Sequence, residues 1–194
     1  MLRRRLAAQL RRPSGASGRV LAAMLNRRNR ATNERAVALL EVGPSHRALD
    51  VGFGGGVGLG LLRDASPASL AGVDHSPGAV RAARRRFPDA RLETASIEAL
   101  PFEDAAFDRV LSVHTIYFWP DAAAGARELF RVCAPGGRVV LAFMRGERMR
   151  GEKIHQHGFA FFEAADVAAL LTGAGFAPVR VEGDARLFAV AEKP

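Results

Sequence analysis

Residues 49–58 read Leu49-Asp50-Val51-Gly52-Phe53-Gly54-Gly55-Gly56-Val57-Gly58, an apolar run that passes straight into glycines and out into a helical pattern. Five glycines occupy the seven positions from 52 to 58, more than a tight turn requires. Glycine at this density lets a backbone approach a ligand closely, and in an open α/β sheet ligands sit beyond the carboxyl ends of the strands, at such turns. Asp74 ends the next apolar run, where an acid can accept hydrogen bonds from ribose hydroxyls. It could also cap the helix that opens at Ser76-Pro77, but the glycine loop upstream favours the ribose role. The dinucleotide fingerprint G-x-G-x-x-G finds no register here, because its third glycine would fall on Val57, Leu59 or Leu61. The spacing that does fit is Asp50-x-Gly52-x-Gly54-x-Gly56, an acid leading three alternating glycines.

Around this loop the chain alternates between short apolar runs and amphipathic stretches. Strands are predicted at 47–51, 70–74, 90–95, 107–113 and 138–144, and helices at 57–65, 77–87, 121–133 and 163–173. Two closing runs, 177–182 and 185–191, flank Gly183-Asp184, a plausible hairpin turn. Residues 145–158 form a polar, His-containing loop. The expected architecture is α/β: a doubly wound, mostly parallel seven-stranded sheet with helices on both faces and an antiparallel C-terminal hairpin at its edge. Ahead of it, residues 1–12, about 20–25 and 32–41 carry helical stripes, the last turning Ala36, Val37, Leu39 and Leu40 inward. The chain is therefore divided into an N-terminal helical cap or arm, residues 1–43, and a main domain, residues 44–194.

Charge divides at almost the same place. The 194 residues carry a formal net charge of +8. Nine arginines and no acid fall within residues 1–30, leaving the remainder at −1. A near-neutral body behind a basic arm disfavours a uniformly basic nucleic-acid-binding protein. At 48% hydrophobic and 25% charged residues, the composition is that of a soluble globular chain, expected in the cytoplasm. No run reaches the roughly 18–20 apolar residues of a membrane span. A single cysteine, Cys133, leaves no internal disulfide and no multi-cysteine metal site, and its apolar surroundings suggest inert core. No metal is expected.

Asp50-x-Gly52-x-Gly54-x-Gly56 with Asp74 after it resembles the first two motifs of the class I S-adenosylmethionine (SAM)-dependent methyltransferases. Leu100-Pro101-Phe102 with Phe107-Asp108 is similar to the family's entry into its fourth strand, and the run from Glu128 to Arg138 is similar to its helix-to-strand connection. Ile116-Tyr117-Phe118-Trp119-Pro120-Asp121 resembles the small-molecule branch of the ubiquinone/menaquinone-biosynthesis type. The matches span residues 48–142, about half of the chain.

That resemblance implies SAM as cofactor and S-adenosylhomocysteine (SAH) as product. Gly52, Gly54 and Gly56 would cradle the methionine part, with Asp50 reaching its amino group through the loop or a water. Asp74 would hold the ribose and His75 would pack near the adenine. Ser96 and Ile97 stand where the family has an acid for the adenine amino group followed by an apolar residue. Ser96 departs from that pattern by offering an acceptor without a charge.

The catalytic candidates are His114 and Tyr117. His114 closes the fourth strand on the ligand edge, as a base, an orienting group for the acceptor, or a hydrogen-bonded wall residue. Tyr117 either touches substrate or packs with Phe118 and Trp119. His155 and His157, in the 145–158 loop, are candidates for substrate contact; an H-x-H pair can also bind metal, but no cysteine or carboxylate cluster accompanies it. The arm admits several roles: a transit peptide, a membrane or RNA contact, or a lid in which residues 24–29, similar to the pocket-closing helices of small members, fold over the cofactor. The expected reaction moves a methyl group from SAM to an O, N or C atom of a small molecule, in a monomer or homodimer. The alternatives are an RNA-directed methyltransferase using the arm, and a SAM-binding protein of other activity.

Overall fold

Apolar side chains on both faces of β1 (Arg47–Val51) decide its place: Leu49 and Val51 enter one hydrophobic cluster and Ala48 another on the opposite side. A strand buried on both faces belongs inside a parallel sheet. β1 pairs in parallel with β2 (Ser69–Asp74) on one side and β4 (Phe107–Val113) on the other. The computed structural model describes residues 29–151 and 160–194. Together with β3 (Arg91–Thr94), β5 (Cys133–Met144), β6 (Val179–Gly183) and β7 (Arg186–Glu192), these strands form one seven-stranded sheet in the order β3-β2-β1-β4-β5-β7-β6.

Helices cover both faces. α1 runs over 29–40 and α2 is Val57–Asp64; Ala36, Leu40 and Leu62 pack into the cluster that contains Ala48. α3 (Pro77–Arg86) buries Val80 and Ala83 with Leu59, Phe53 and Leu92. α4 (Ala122–Val132) and α6 (Ala164–Gly173) bury Leu129, Val132, Val167 and Leu171 in the largest cluster, where Phe143 and Phe176 are almost wholly enclosed. Helix starts follow local chemistry: Asp121 accepts from the Ala123 and Ala124 N–H groups, and Glu163 and Asp166 form a reciprocal capping box.

The C-terminal hairpin lies at the sheet edge as expected: β7 inserts between β5 and β6, so β7 alone runs against the sheet and β6 forms the border. Two features differ from the sequence reading. β5 begins five residues earlier than expected, because Pro135-Gly136-Gly137 bulges from the ladder; the partner changes from Cys133 opposite Phe107 to Arg138 opposite Arg109. The segment read as a loop opens with a short helix, α5 (Gly146–Gly151), held by one buried apolar residue, Met149. The helical stripes read at 1–12 and 20–25, and with them the roles of the basic arm, lie outside the described residues. So do His155 and His157. No described helix is long and apolar enough to cross a membrane.

Candidate functional site

A cavity of about 1060 Å³ opens along the carboxyl ends of β1, β2 and β4. All the cofactor candidates except Gly56 line it: Asp50, Gly52, Gly54, Asp74, His75, Ser96 and Ile97. His114 and Tyr117 line it too. Gly56 ends the glycine loop as the residue before α2, without reaching the wall.

The loop is shaped by conformations that side chains resist. Gly52, Gly54 and Gly56 have φ of +74°, +49° and +76°. A Cβ at Gly54 would meet nothing within 4 Å, so this glycine is needed for its left-handed backbone and for the room it leaves on the cavity side. Asp74 holds the loop in place. Its carboxylate accepts the Gly54 N–H at 2.8 Å and the Ser76 N–H at 2.8 Å, tying the glycine loop to the start of α3. The cap itself is Ser76, whose hydroxyl accepts from Ala79 N–H. Asp74 thus serves the turn and still presents remaining carboxylate lone pairs at the cavity wall.

Asp50 is the unusual group. It sits beneath the loop, 3% exposed, and its Oδ2 has no hydrogen-bond partner. Gly58 closes over it: a Cβ there would lie 2.3 Å from that oxygen. Burial, with the Asp74 charge nearby, pushes the Asp50 carboxyl up to about 8, against a hydrogen bond from the Leu59 backbone that favours the anion. A buried carboxylate oxygen without a donor is costly, and a cationic donor in the cavity would relieve it.

At the adenine position expected from the resemblance, Ser96 is exposed and Ile97 buried. The Ser96 hydroxyl lies 3.4 Å from the Glu98 carboxylate, which also accepts the Asp121 N–H. His75 is largely exposed, with Nδ1 3.6 Å from Asp74.

The opposite wall is built from the end of β4 and the turn after it. His114 takes a left-handed backbone, φ +58°, and its N–H donates to the Ala142 carbonyl on β5. Its Nδ1 lies 3.0 Å from the Tyr117 hydroxyl, in a short 3-10 turn, Ile116–Phe118. That hydroxyl accepts the Met144 backbone N–H. Burial raises the Tyr117 phenol well above its ordinary range, so it stays neutral. Thr115, next to His114, bonds the Ser112 hydroxyl, which donates to the Val51 carbonyl, and receives the Trp119 Nε1–H. This network pins the end of β4 to β1.

Sequence reasoning missed several wall residues, Thr115, Trp119 and the α1 residue Asn33, while Asn29, the last residue of the stretch 24–29 read as a lid, does line the cavity. Asn33 is 7% exposed and donates to the Asn29 carbonyl. Helical spacing from Leu40 and Ala36 back through Asn33 to Asn29 continues the buried stripe into polar residues, a signal that the helix reaches a site.

Residues 49–141 match the methyltransferase domain family. Malonyl-[acyl-carrier protein] O-methyltransferase of Halorhodospira halophila is 32% identical over 151 residues, 71% of this chain and 50% of that protein. An uncharacterized protein of Mycobacterium tuberculosis is 36% identical over 107 residues, 53% of this chain and 39% of that one. The chain thus spans half or less of the length of these relatives. Among solved structures, the chain found in complex with the Haloferax volcanii Trm112 methyltransferase activator superposes with a TM-score of 0.81 at 22% identity, covering 92% of this chain and 95% of its own. The stretch that matches the methyltransferase domain family, residues 49–141, carries the glycine loop, Asp74 and β4.

Proposed function

We propose that this protein is a SAM-dependent methyltransferase that moves the methyl group to an O, N or C atom of a small molecule. The observation that carries the reading is the buried, unpartnered Oδ2 of Asp50 beneath a glycine loop whose Gly54 N–H is already fixed by Asp74. SAM answers the donor set: its ammonium matches Asp50, and its ribose diol matches the free lone pairs of Asp74. Its adenine matches the edge formed by Ser96 and Ile97, with His75 beside it. The bound cofactor would supply an already activated sulfonium methyl. The chain's own residues then need mainly to hold an acceptor close and exclude water.

For the acceptor we assign the wall formed by His114, Tyr117, Phe118 and Trp119, the stretch that resembles the small-molecule branch. His114 is the group able to hold or take the acceptor's proton. Tyr117 acts through it as a positioning residue, because its hydroxyl is committed to Met144 N–H and His114 Nδ1. An RNA-directed reading gains no support from the described residues, whose basic arm is not among them.

Calorimetry with SAH tests the cofactor half. The wild type should bind, and Asp74→Ala should bind about thirtyfold more weakly, since hydrogen bonds to a charged group contribute about 1.5–3 kcal/mol. Unchanged affinity in Asp74→Ala defeats the assignment. Mass spectrometry of acceptor mixtures incubated with SAM tests the reaction itself through the appearance of methylated products.

A further inference from the structure

Three arginines packed on or within the sheet are held by several hydrogen bonds each. Arg47 forks onto Asp108 at 2.9 and 3.0 Å. Arg131 binds Glu128, Asp104 and the carbonyls of Leu100 and Phe102. Arg138 binds Glu41, Glu192 and the Leu39 carbonyl. Two arginines at one corner differ. The Nε atoms of Arg145 and Arg186 are shielded from solvent and have no hydrogen-bond partner. Arg186 makes no hydrogen bond or ion pair through its side chain among the described residues. Arg145 has only a loose approach, 3.8 Å, to the fully exposed carboxylate of Asp184.

Their location is set by the antiparallel strand β7. Because β7 runs against β5, its first residue, Arg186, stands opposite Met144 at the carboxyl end of β5. The Arg145 N–H donates to the carbonyl of Ala185 beside it. This is the edge of the sheet along which the cavity opens, and both arginines stand just outside the residues that line it. The link to the cavity wall is short: Met144 N–H donates to the Tyr117 hydroxyl, which lies 3.0 Å from His114 Nδ1. The Arg186 charge also acts on the Tyr117 phenol, so the guanidinium lies within electrostatic reach of that hydroxyl.

We propose that Arg186, with Arg145 next to it, is the anion-recognising end of the acceptor site, and that the methyl acceptor carries a carboxylate or a phosphate. The proposal rests on the methyltransferase reading and adds the class of substrate. A guanidinium stays charged at any accessible pH and presents a planar fork suited to either group. Leaving its Nε–H dry and unpaired is unfavourable, and a bound anion removes that deficit. A structural arginine would be expected to resemble Arg131 or Arg138, with its donors already matched.

The test begins with SAH calorimetry on wild type and Arg186→Gln, which should bind alike. Ligand-observed NMR on the SAH-loaded proteins then compares benzoate, phenyl phosphate and neutral benzamide. The acids should bind the wild type at millimolar concentration and benzamide should not. Arg186→Gln should lower acid affinity about tenfold, the loss of one charge-assisted hydrogen bond. Arg186→Lys should retain part of it, keeping the charge without the fork. A preference for benzoate or for phenyl phosphate identifies the group. The proposal is overturned if benzamide binds as well as the acids, if no acid binds, or if Arg186→Gln leaves acid affinity unchanged. Loss of SAH affinity in Arg186→Gln also overturns it, because Arg186 would then serve the cofactor or the fold. Should the wild type itself not bind SAH, the cofactor reading fails separately, and the acid series without SAH still decides Arg186.

Discussion

The β1–β2 corner and the β4–β5–β7 corner border one cavity and are built in opposite ways. In the first, every element lies within 30 residues of chain: Asp50, the glycine loop, Asp74 and the Ser76 cap. Backbone N–H groups meet a single carboxylate, and the one deficit, Asp50 Oδ2, is enclosed beneath the loop. In the second, contacts join distant segments: His114 to Ala142, Tyr117 to Met144, Arg186 opposite Met144, and Asn33 from α1. On the proposed function, a local corner would fix the cofactor, and a corner assembled from separate segments could vary its acceptor without disturbing the loop.

Gly54→Val should divide the corners most sharply. The substitution places a β-branched residue at φ +49° and fills the open side of the loop. Left-handed strain of about 1–3 kcal/mol combines with direct obstruction, and SAH affinity should fall about a hundredfold by calorimetry. Binding of acids at the Arg186 corner should persist. If both are lost together, the two corners are not independent.

Asp50 gives the next effect, and it depends on pH. With its carboxyl pushed up from 3.8 to about 8, the folded protein holds a proton there that the unfolded chain has released. Its contribution to stability is therefore present below about pH 4 and is lost as pH rises through 8. An ammonium bound against Asp50 favours the anion, so SAH binding should release a proton at neutral pH. Affinity should rise about tenfold from pH 6 to 7, the change set by one proton. Asp50→Asn should flatten both the binding profile and the decline in melting temperature between pH 6 and 8.5. An unchanged slope in that variant would remove Asp50 from the cofactor's contacts.

In the acceptor corner, Tyr117→Phe deletes the acceptor of Met144 N–H and the partner of His114. Stability should fall by about 1–3 kcal/mol, the cost of a buried donor left unmatched. SAH affinity should stay within twofold. Chemical denaturation beside calorimetry checks both, and a fall in SAH affinity matching the stability loss would show that this wall also shapes the cofactor site.

The same contrast explains what could be read from residues alone. Spacing in Asp50–Gly58 and the position of Asp74 are local requirements of a turn and a ligand, so they are written in order along the chain. β1, β2, β4 and the helices after them obey simple apolar periods, and their expected bounds fall within a residue or two of the observed ones. The insertion of β7 between β5 and β6 depends on pairing, which no local pattern encodes. α5 has six residues with one buried apolar side chain, too few for a period. Asn33 reads as surface until α1 is laid on the sheet, and the unmatched state of Arg186 is a property of its neighbours across the ladder.

Ser96 offers the smallest and most specific probe of the cofactor corner. The resemblance places an acid at this position, and a charged acceptor makes a hydrogen bond stronger by about 1 kcal/mol than a hydroxyl does. Ser96→Asp alone should gain less than that. The hydroxyl it replaces lies 3.4 Å from the Glu98 carboxylate, so the new charge would meet a like charge at close range. Affinity for SAH should rise only about twofold. In a Glu98→Gln background the repulsion disappears, and the gain should grow to about fivefold, although Glu98→Gln also weakens the bond to Asp121 N–H that orders the start of α4. Calorimetry on the four proteins of this cycle isolates the coupling between positions 96 and 98. A gain that is equal in both backgrounds would mean that Glu98 does not oppose an acid at position 96, and that the hydroxyl there has another origin.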